Sequence, residues 1–225
     1  MNSWPSLLEI RINYYFGRMK TFPALFLMAI LASFSAFTQA TLPIKTGNYE
    51  ETVDLAYDKS KGIISGIISR SNYDNPNGPR ISCSLLFLSS PQSKTIGPNK
   101  YQVRFFNEGD TSEAGKGYIE IIKTGINVKC YGRFSSCDNL LDLASETGEP
   151  FGFSTAKSFI SANTIRNAKA TIYKTASDTA KTKMYLVKGN FISIMTVNDN
   201  WVSFEYMTFS GKRIKGWLKK EDVAW

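Results

Sequence analysis

Residues 168–225 read AKATIYKTASDTAKTKMYLVKGNFISIMTVNDNWVSFEYMTFSGKRIKGWLKKEDVAW. No apolar period of 3.6 residues runs through this stretch. It reads as five short strands whose turns are marked by Gly189, Gly211 and Gly216, which describes a small β-barrel. The strand at 191–197 turns Ile192 and Ile194 inward. Phe191 and Phe204 are expected in the core.

Upstream, residues 47–134 also read as short strands between turns. Tyr49, Val53, Leu55 and Tyr57 share one face of a first strand, with Glu51 the polar exception. Further strands are expected over 62–68, 80–88, 101–106, 117–122 and 126–133. The run at 80–88 is nearly continuous apolar at its end. Residues 71–79, SNYDNPNGP, are dense in Asn, Gly and Pro and read as loop. The helix candidate is 138–144. The whole reads as an all-β chain: an antiparallel β-barrel or sandwich over 41–150, a linker or connecting strand over 151–167, and the small barrel over 168–225.

Residues 20–40, KTFPALFLMAILASFSAFTQA, form a different kind of segment. Lys20 opens an apolar run that closes on small and polar residues, with Thr38 and Ala40 where a signal peptidase reads. The run is short of the ~20 apolar residues of a membrane span, and Pro23, Ser33 and Ser35 dilute it. The expectation is a signal peptide over 19–40, behind an extension over 1–18 that does not fit the signal. The mature chain is then periplasmic or secreted, with no membrane span. Export carries Cys83, Cys130 and Cys137 into an oxidising compartment, where one disulfide is expected. Cys130–Cys137 would be a local closure, and Cys83 with a partner near 130–137 would staple distant strands. Spacing alone does not choose between them.

The chain holds 27 Lys and Arg against 19 Asp and Glu, a net +8, and no histidine. Without histidine there is no Ser-His-Asp triad, Cys-His dyad or His-ligated metal, and three cysteines cannot make an all-cysteine zinc site. Three patterns match penicillin-recognising enzymes: S-x-x-K at 154–157, S-x-N at 161–163, and K-T-G at 45–47 and 123–125. Their order is wrong, and no helical period follows Ser154. Glu146 with Glu149, or Asp138 with Asp142, sit where solvated acids are the norm rather than as a glycosidase pair. The loop at 73–78 lacks the first acid of a calcium site, and Ser84 stands where its glutamate should be. No catalysis and no cofactor are expected. Residues 41–167 carry 14 basic and 13 acidic residues, whereas 168–225 carry ten and five. That excess suits an anionic partner such as teichoic acid or a lipid headgroup, and export argues against nucleic acid. Lys212, Arg213, Lys215, Lys219 and Lys220 lie along the last hairpin, where a solvated β-edge is the plain reading.

The C-terminal stretch resembles the bacterial SH3 domain, SH3b. Residues 170–173 look like its first strand, 175–183 like the long polar loop after it, and Tyr185-Leu-Val-Lys-Gly-Asn190 is similar to its diverging turn. Trp201, Phe204 and Tyr206 match its "W..V.Y" strand, Gly216-Trp217-Leu218 its "GW" hairpin, and Glu221-Asp222-Val223 its final turn. Asn190 stands where the family usually has an acid, with little structural consequence expected. The arrangement as a whole resembles β-rich exported proteobacterial proteins of undefined role. That likeness implies a Cys83–Cys137 disulfide with Cys130 free. The family likeness implies a binding module for a cell-wall peptide or an envelope protein. An envelope enzyme inhibitor or immunity protein, and an accessory part of a cell-wall hydrolase system, are the other readings. Tyr173, Tyr185, Trp201, Tyr206 and Trp217 are the candidate ligand-binding rings, since amphipathic aromatics favour binding surfaces. Trp201 is expected at the surface and Trp217 to be partly structural.

Overall fold

Period-two alternation of apolar side chains builds the first sheet. Its nine strands are β1 (Gly47–Tyr49), β2 (Val53–Asp58), β3 (Ile63–Ser71), β4 (Ser82–Leu88), β5 (Thr95–Gly97), β6 (Lys100–Asn107), β7 (Glu113–Ile122), β8 (Gly125–Tyr131) and β9 (Glu149–Ala156). Eight run in the order β4-β3-β2-β1-β9-β8-β7-β6, and β6 pairs back onto β4. The sheet is thus a closed antiparallel barrel, with β5 as a flap on β6. The computed structural model describes residues 41–72, 80–90, 95–109, 112–132, 134 and 137–225. The extension expected at 1–18, the signal peptide expected at 19–40 and residues 73–79 of the Asn-, Gly- and Pro-rich stretch lie outside the described residues.

Inward positions of every long strand fill the barrel, among them Val53, Leu55, Ile64, Ile68, Leu85, Phe87, Val103, Phe105, Ile119, Ile126, Val128 and Phe151. Gly66 faces Phe87 across the ladder, and a Cβ there would lie 2.2 Å from the Phe87 ring. Its missing side chain is what admits the ring. The single strand expected from Tyr49 to Tyr57 is two strands. Glu50 and Glu51 turn the chain with φ of 48° and 54°. This left-handed pair costs side-chain-bearing residues roughly 1–2 kcal/mol each. Asn48 Oδ1 accepts from the Glu51 N–H, and Glu50 Oε1 accepts from the Gly152 N–H, holding the turn.

The helix expected at 138–144 is a set of turns. A segment so short gains too few hydrogen bonds to offset helix nucleation. Its apolar residues sink into the barrel instead, as Phe134, Cys137, Leu141 and Leu143 all join the core. Cys137 is disulfide-bonded to Cys83 of β4, and Cys130 is a free, buried thiol.

The second sheet comprises β10 (Ser161–Thr164), β11 (Lys169–Tyr173), β12 (Lys181–Val187), β13 (Phe191–Val197), β14 (Trp201–Met207) and β15 (Arg213–Lys219). Its order is β10-β13-β14-β15-β11-β12, all antiparallel. The polar loop expected at 175–183 is shorter, because β12 already begins at Lys181. Ala170, Ile172, Leu186, Ile192, Ile194, Val202, Phe204 and Leu218 converge on one core, so the sheet curls around it. The all-β architecture expected from the sequence is the one observed. The segment 151–167 divides between the sheets: β9 runs to Ala156 in the barrel, and β10 belongs to the second sheet.

Thr41–Trp225 form one unit. Ile67 and Leu86 on the outside of the barrel pack with Ala162 and Phe191 of the second sheet. This explains the continuous apolar run at 85–88, since both faces of β4 are buried.

Candidate functional site

The β14–β15 register decides which aromatic rings share a face. Trp201 pairs with Lys219, Ser203 with Trp217, Glu205 with Lys215 and Met207 with Arg213. Opposed residues project to the same side, so these lie on one face, and Val202, Phe204 and Leu218 on the other. Tyr173 pairs with Trp217. Its ring meets Trp201 edge to face at 4.8 Å between centroids. Lys219 Nζ stands 4.0 Å above the Trp201 ring and 2.7 Å from Asp178 Oδ1. The hydrogen bond to Asp178 is the main cause of a raised Lys219 pKa. Tyr185 lies two strands further out, 51% exposed, with Lys169 Nζ 4.3 Å from its ring.

The structure therefore brings Tyr173, Trp201 and Trp217 together and sets Tyr185 on the neighbouring edge strand. Tyr206 points to the opposite face, packed against the core of the second sheet. Burial pushes its hydroxyl up to about 12, with Glu108 adding to the effect. Trp201 is not the surface ring expected: it is 9% exposed, because Tyr173 and Lys219 cover it. Trp217 is half-buried and offers more of its ring. Tyr173 and Trp201 are buried beneath Lys219, so of the three rings Trp217 offers the contact area, beside one ammonium group and one carboxylate, which suits recognition of a polar chain with an apolar side group. Among the described residues, no group of three or more Asp, Glu or Cys side chains is placed to hold a metal ion.

Sequence reasoning missed a second constellation, where the barrel meets the sheet. Asp54 of β2 receives both guanidinium nitrogens of Arg213 at 2.9 Å, Asn48 Nδ2 at 3.0 Å and Ser193 Oγ at 3.0 Å. Glu205, 1% exposed, pairs with Arg213 at 3.2 Å, Lys157 at 3.2 Å and Lys215 at 2.9 Å. Burial works against ionising Glu205, but the Lys215 and Lys157 hydrogen bonds outweigh it and hold the carboxyl below its usual range. Arg213 is thus not part of a solvated edge, whereas the Lys215 side chain, 60% exposed, reaches Glu205 from solvent. β15 pairs with β14 along its length, and their charges are spent on the barrel and on Glu205. The signal available was an acid inside each of two strands, Asp54 and Glu205, where acids are depleted. A cleft of about 420 Å³ opens beside this cluster, lined by Arg70, Lys157, Arg213, Glu50 and Glu51 among others.

Ser154 lies in β9, where its hydroxyl accepts from the Glu50 N–H, and Lys157 is committed to Glu205. The S-x-x-K pattern therefore does not open a helix. These features define an all-β protein of two packed antiparallel sheets, the second carrying an aromatic surface. No family model, curated protein or solved structure matches the chain.

Proposed function

We propose that this is a non-catalytic, exported envelope protein whose second sheet, an SH3b-like domain, binds a cell-wall peptide or an envelope protein. The observation that carries the reading is the clustering of Tyr173, Trp201 and Trp217 on one face under Lys219. Aromatic rings fixed by a sheet give contact area at little entropic cost, and central aromatic anchors dominate binding. The Cys83–Cys137 bond supports an oxidising compartment.

The test is binding to purified sacculi and to envelope proteins, with melting measured alongside. Trp217→Ala is expected to lose at least ~2 kcal/mol of binding, as a central anchor does, and to keep most of its stability. Trp201→Ala, truncating a buried ring, is expected to cost roughly 3–5 kcal/mol of stability. Undiminished binding by a folded Trp217→Ala protein would remove this surface from the reading.

A further inference from the structure

Glu50 and Glu51 of the β1–β2 turn and Thr208, Gly211 and Arg213 of the β14–β15 hairpin line one cleft of about 420 Å³. That volume lies in the range of small-ligand sites. Its charge is divided between two ends. At the barrel end Glu50 and Glu51 bring two carboxylates, while Arg70 is paired with Glu149 at 3.6 Å. Glu50 Oε1 accepts from an uncharged donor, the Gly152 N–H. Among the described residues, no ion pair or hydrogen bond engages the Glu51 carboxylate. At the other end three cations, Arg213, Lys157 and Lys215, share two carboxylates, Asp54 and Glu205, which leaves one positive charge in excess. Lys157 uses one ammonium proton on Glu205 and has two more to offer.

The acidic end is held against backbone preference. Glu50 and Glu51 have φ of 48° and 54°, where Asn or Gly would sit more easily. Such residues persist where their surroundings fix them, and they gather at ligand clamps. Here the bonds to Asn48 and Gly152 fix the turn with both glutamates on the cleft wall. The register gives the separation of the ends. Asn48 pairs with Thr155, and the Lys157 N–H donates to the Thr46 carbonyl. Lys157 thus enters about four residues of strand from Glu50, roughly 13 Å along the backbone.

We infer that the cleft binds a short peptide with both termini free, its ammonium group at Glu50 and Glu51 and its carboxylate at Lys157 and Arg213. An extended peptide of three residues covers about 10 Å, and the Glu and Lys side chains close the rest. A free amino acid is too short to meet both ends. A plain anion would answer the basic end and leave two carboxylates facing it. The Lys157 and Arg213 side chains are only 24% and 22% exposed, so their charge-assisted bonds to a carboxylate form partly out of water. The inference goes beyond the ring surface, since Tyr173, Trp201 and Trp217 are not among the residues that line the cleft.

The experiment uses the full chain and trialanine in free, N-acetylated and C-amidated forms, with free alanine as the short control. Calorimetry is expected to show binding of free trialanine, with amide shifts centred on Glu51, Thr155, Lys157 and Thr208. Acetylation is expected to weaken binding about fivefold, because Glu51 is exposed, and amidation about tenfold, because Lys157 is shielded. Free alanine is expected to bind at least about tenfold more weakly, because it engages one end at a time. Glu51→Gln should cut the penalty of acetylation to less than about twofold and keep that of amidation. Lys157→Gln should do the converse. The Glu51 side chain has no partner to lose among the described residues, so Glu51→Gln should fold, and it decides the matter even if Lys157→Gln does not. Absent binding, shifts centred elsewhere, or an acetylation penalty equal in Glu51→Gln and wild type overturns the inference. So does free alanine that binds as well as trialanine, since the ligand is then an amino acid.

Discussion

Asn190 accepts from the Val187 N–H with Oδ1 and donates from Nδ2 to Glu108 Oε1 at 2.8 Å. The first bond is one an acid could also make. The second is one only an amide can make, and it ties the turn to the barrel. Burial already raises the Glu108 pKa, although hydrogen bonds from Ser84 and Asn190 oppose it. The neighbouring Gly189 has a φ of +89°, and a Cβ there would lie 2.6 Å from Gly109 Cα, so the two segments touch backbone to backbone. Asn190→Asp would set two carboxylates against each other and remove the donor. The expected cost at pH 7 is about 1–3 kcal/mol. Both acids would then titrate high in the folded state. The penalty is therefore present above those raised values and vanishes below the unfolded carboxylate range. Melting of Asn190→Asp and wild type at pH 7 and pH 4 checks this, and a gap that does not narrow in acid would contradict it.

β4 and the turns at 137–143 act as one element because the Cys83–Cys137 bond joins them across 54 residues. In the chain-entropy model, a loop of that length is worth about 4 kcal/mol to the folded state. The Cys83→Ser, Cys137→Ser double variant is expected to lose roughly 2–5 kcal/mol, read from urea midpoints. Unchanged midpoints would mean that the capping turns hold without the bond. Cys130 sits inside the same element, with the Cys130 N–H bonded to the Leu143 carbonyl. Burial, assisted by Asp138, pushes its thiol up to about 12. Thiol reagents should therefore spare the native protein and modify Cys130 alone after denaturation without reductant.

Across the whole molecule, the two sheets are held by an apolar seam and by the Asp54–Arg213–Glu205 cluster. Glu205 is held below its usual range, so it contributes stability above the unfolded carboxylate value, and that contribution is lost as pH falls through the depressed folded value. Removing one partner of a buried charge cluster costs roughly 3–5 kcal/mol. Glu205→Gln is expected to lose an amount of that order at pH 7 and to converge on wild type in strong acid. Urea midpoints at pH 7 and pH 3 measure both arms, and a pH-independent difference would remove the carboxylate from the account. Strand periodicity, turn residues and the absence of a helical period made the all-β class, the strands of the first sheet other than β5 and β9, and their inward-facing residues legible from sequence, because alternation is a local property of the chain. The disulfide partners came from likeness rather than spacing. The break at Glu50–Glu51 hides in sequence because two glutamates are poor left-handed residues. The turns at 138–144 hide because their apolar residues fit a short helix equally well. What only the tertiary structure decided is which outer faces meet. The same alternation places Asp54, Glu205, Arg213 and Trp201 outward. Whether an outward residue meets water, a ring or an opposite charge depends on a neighbouring sheet that is remote in the chain.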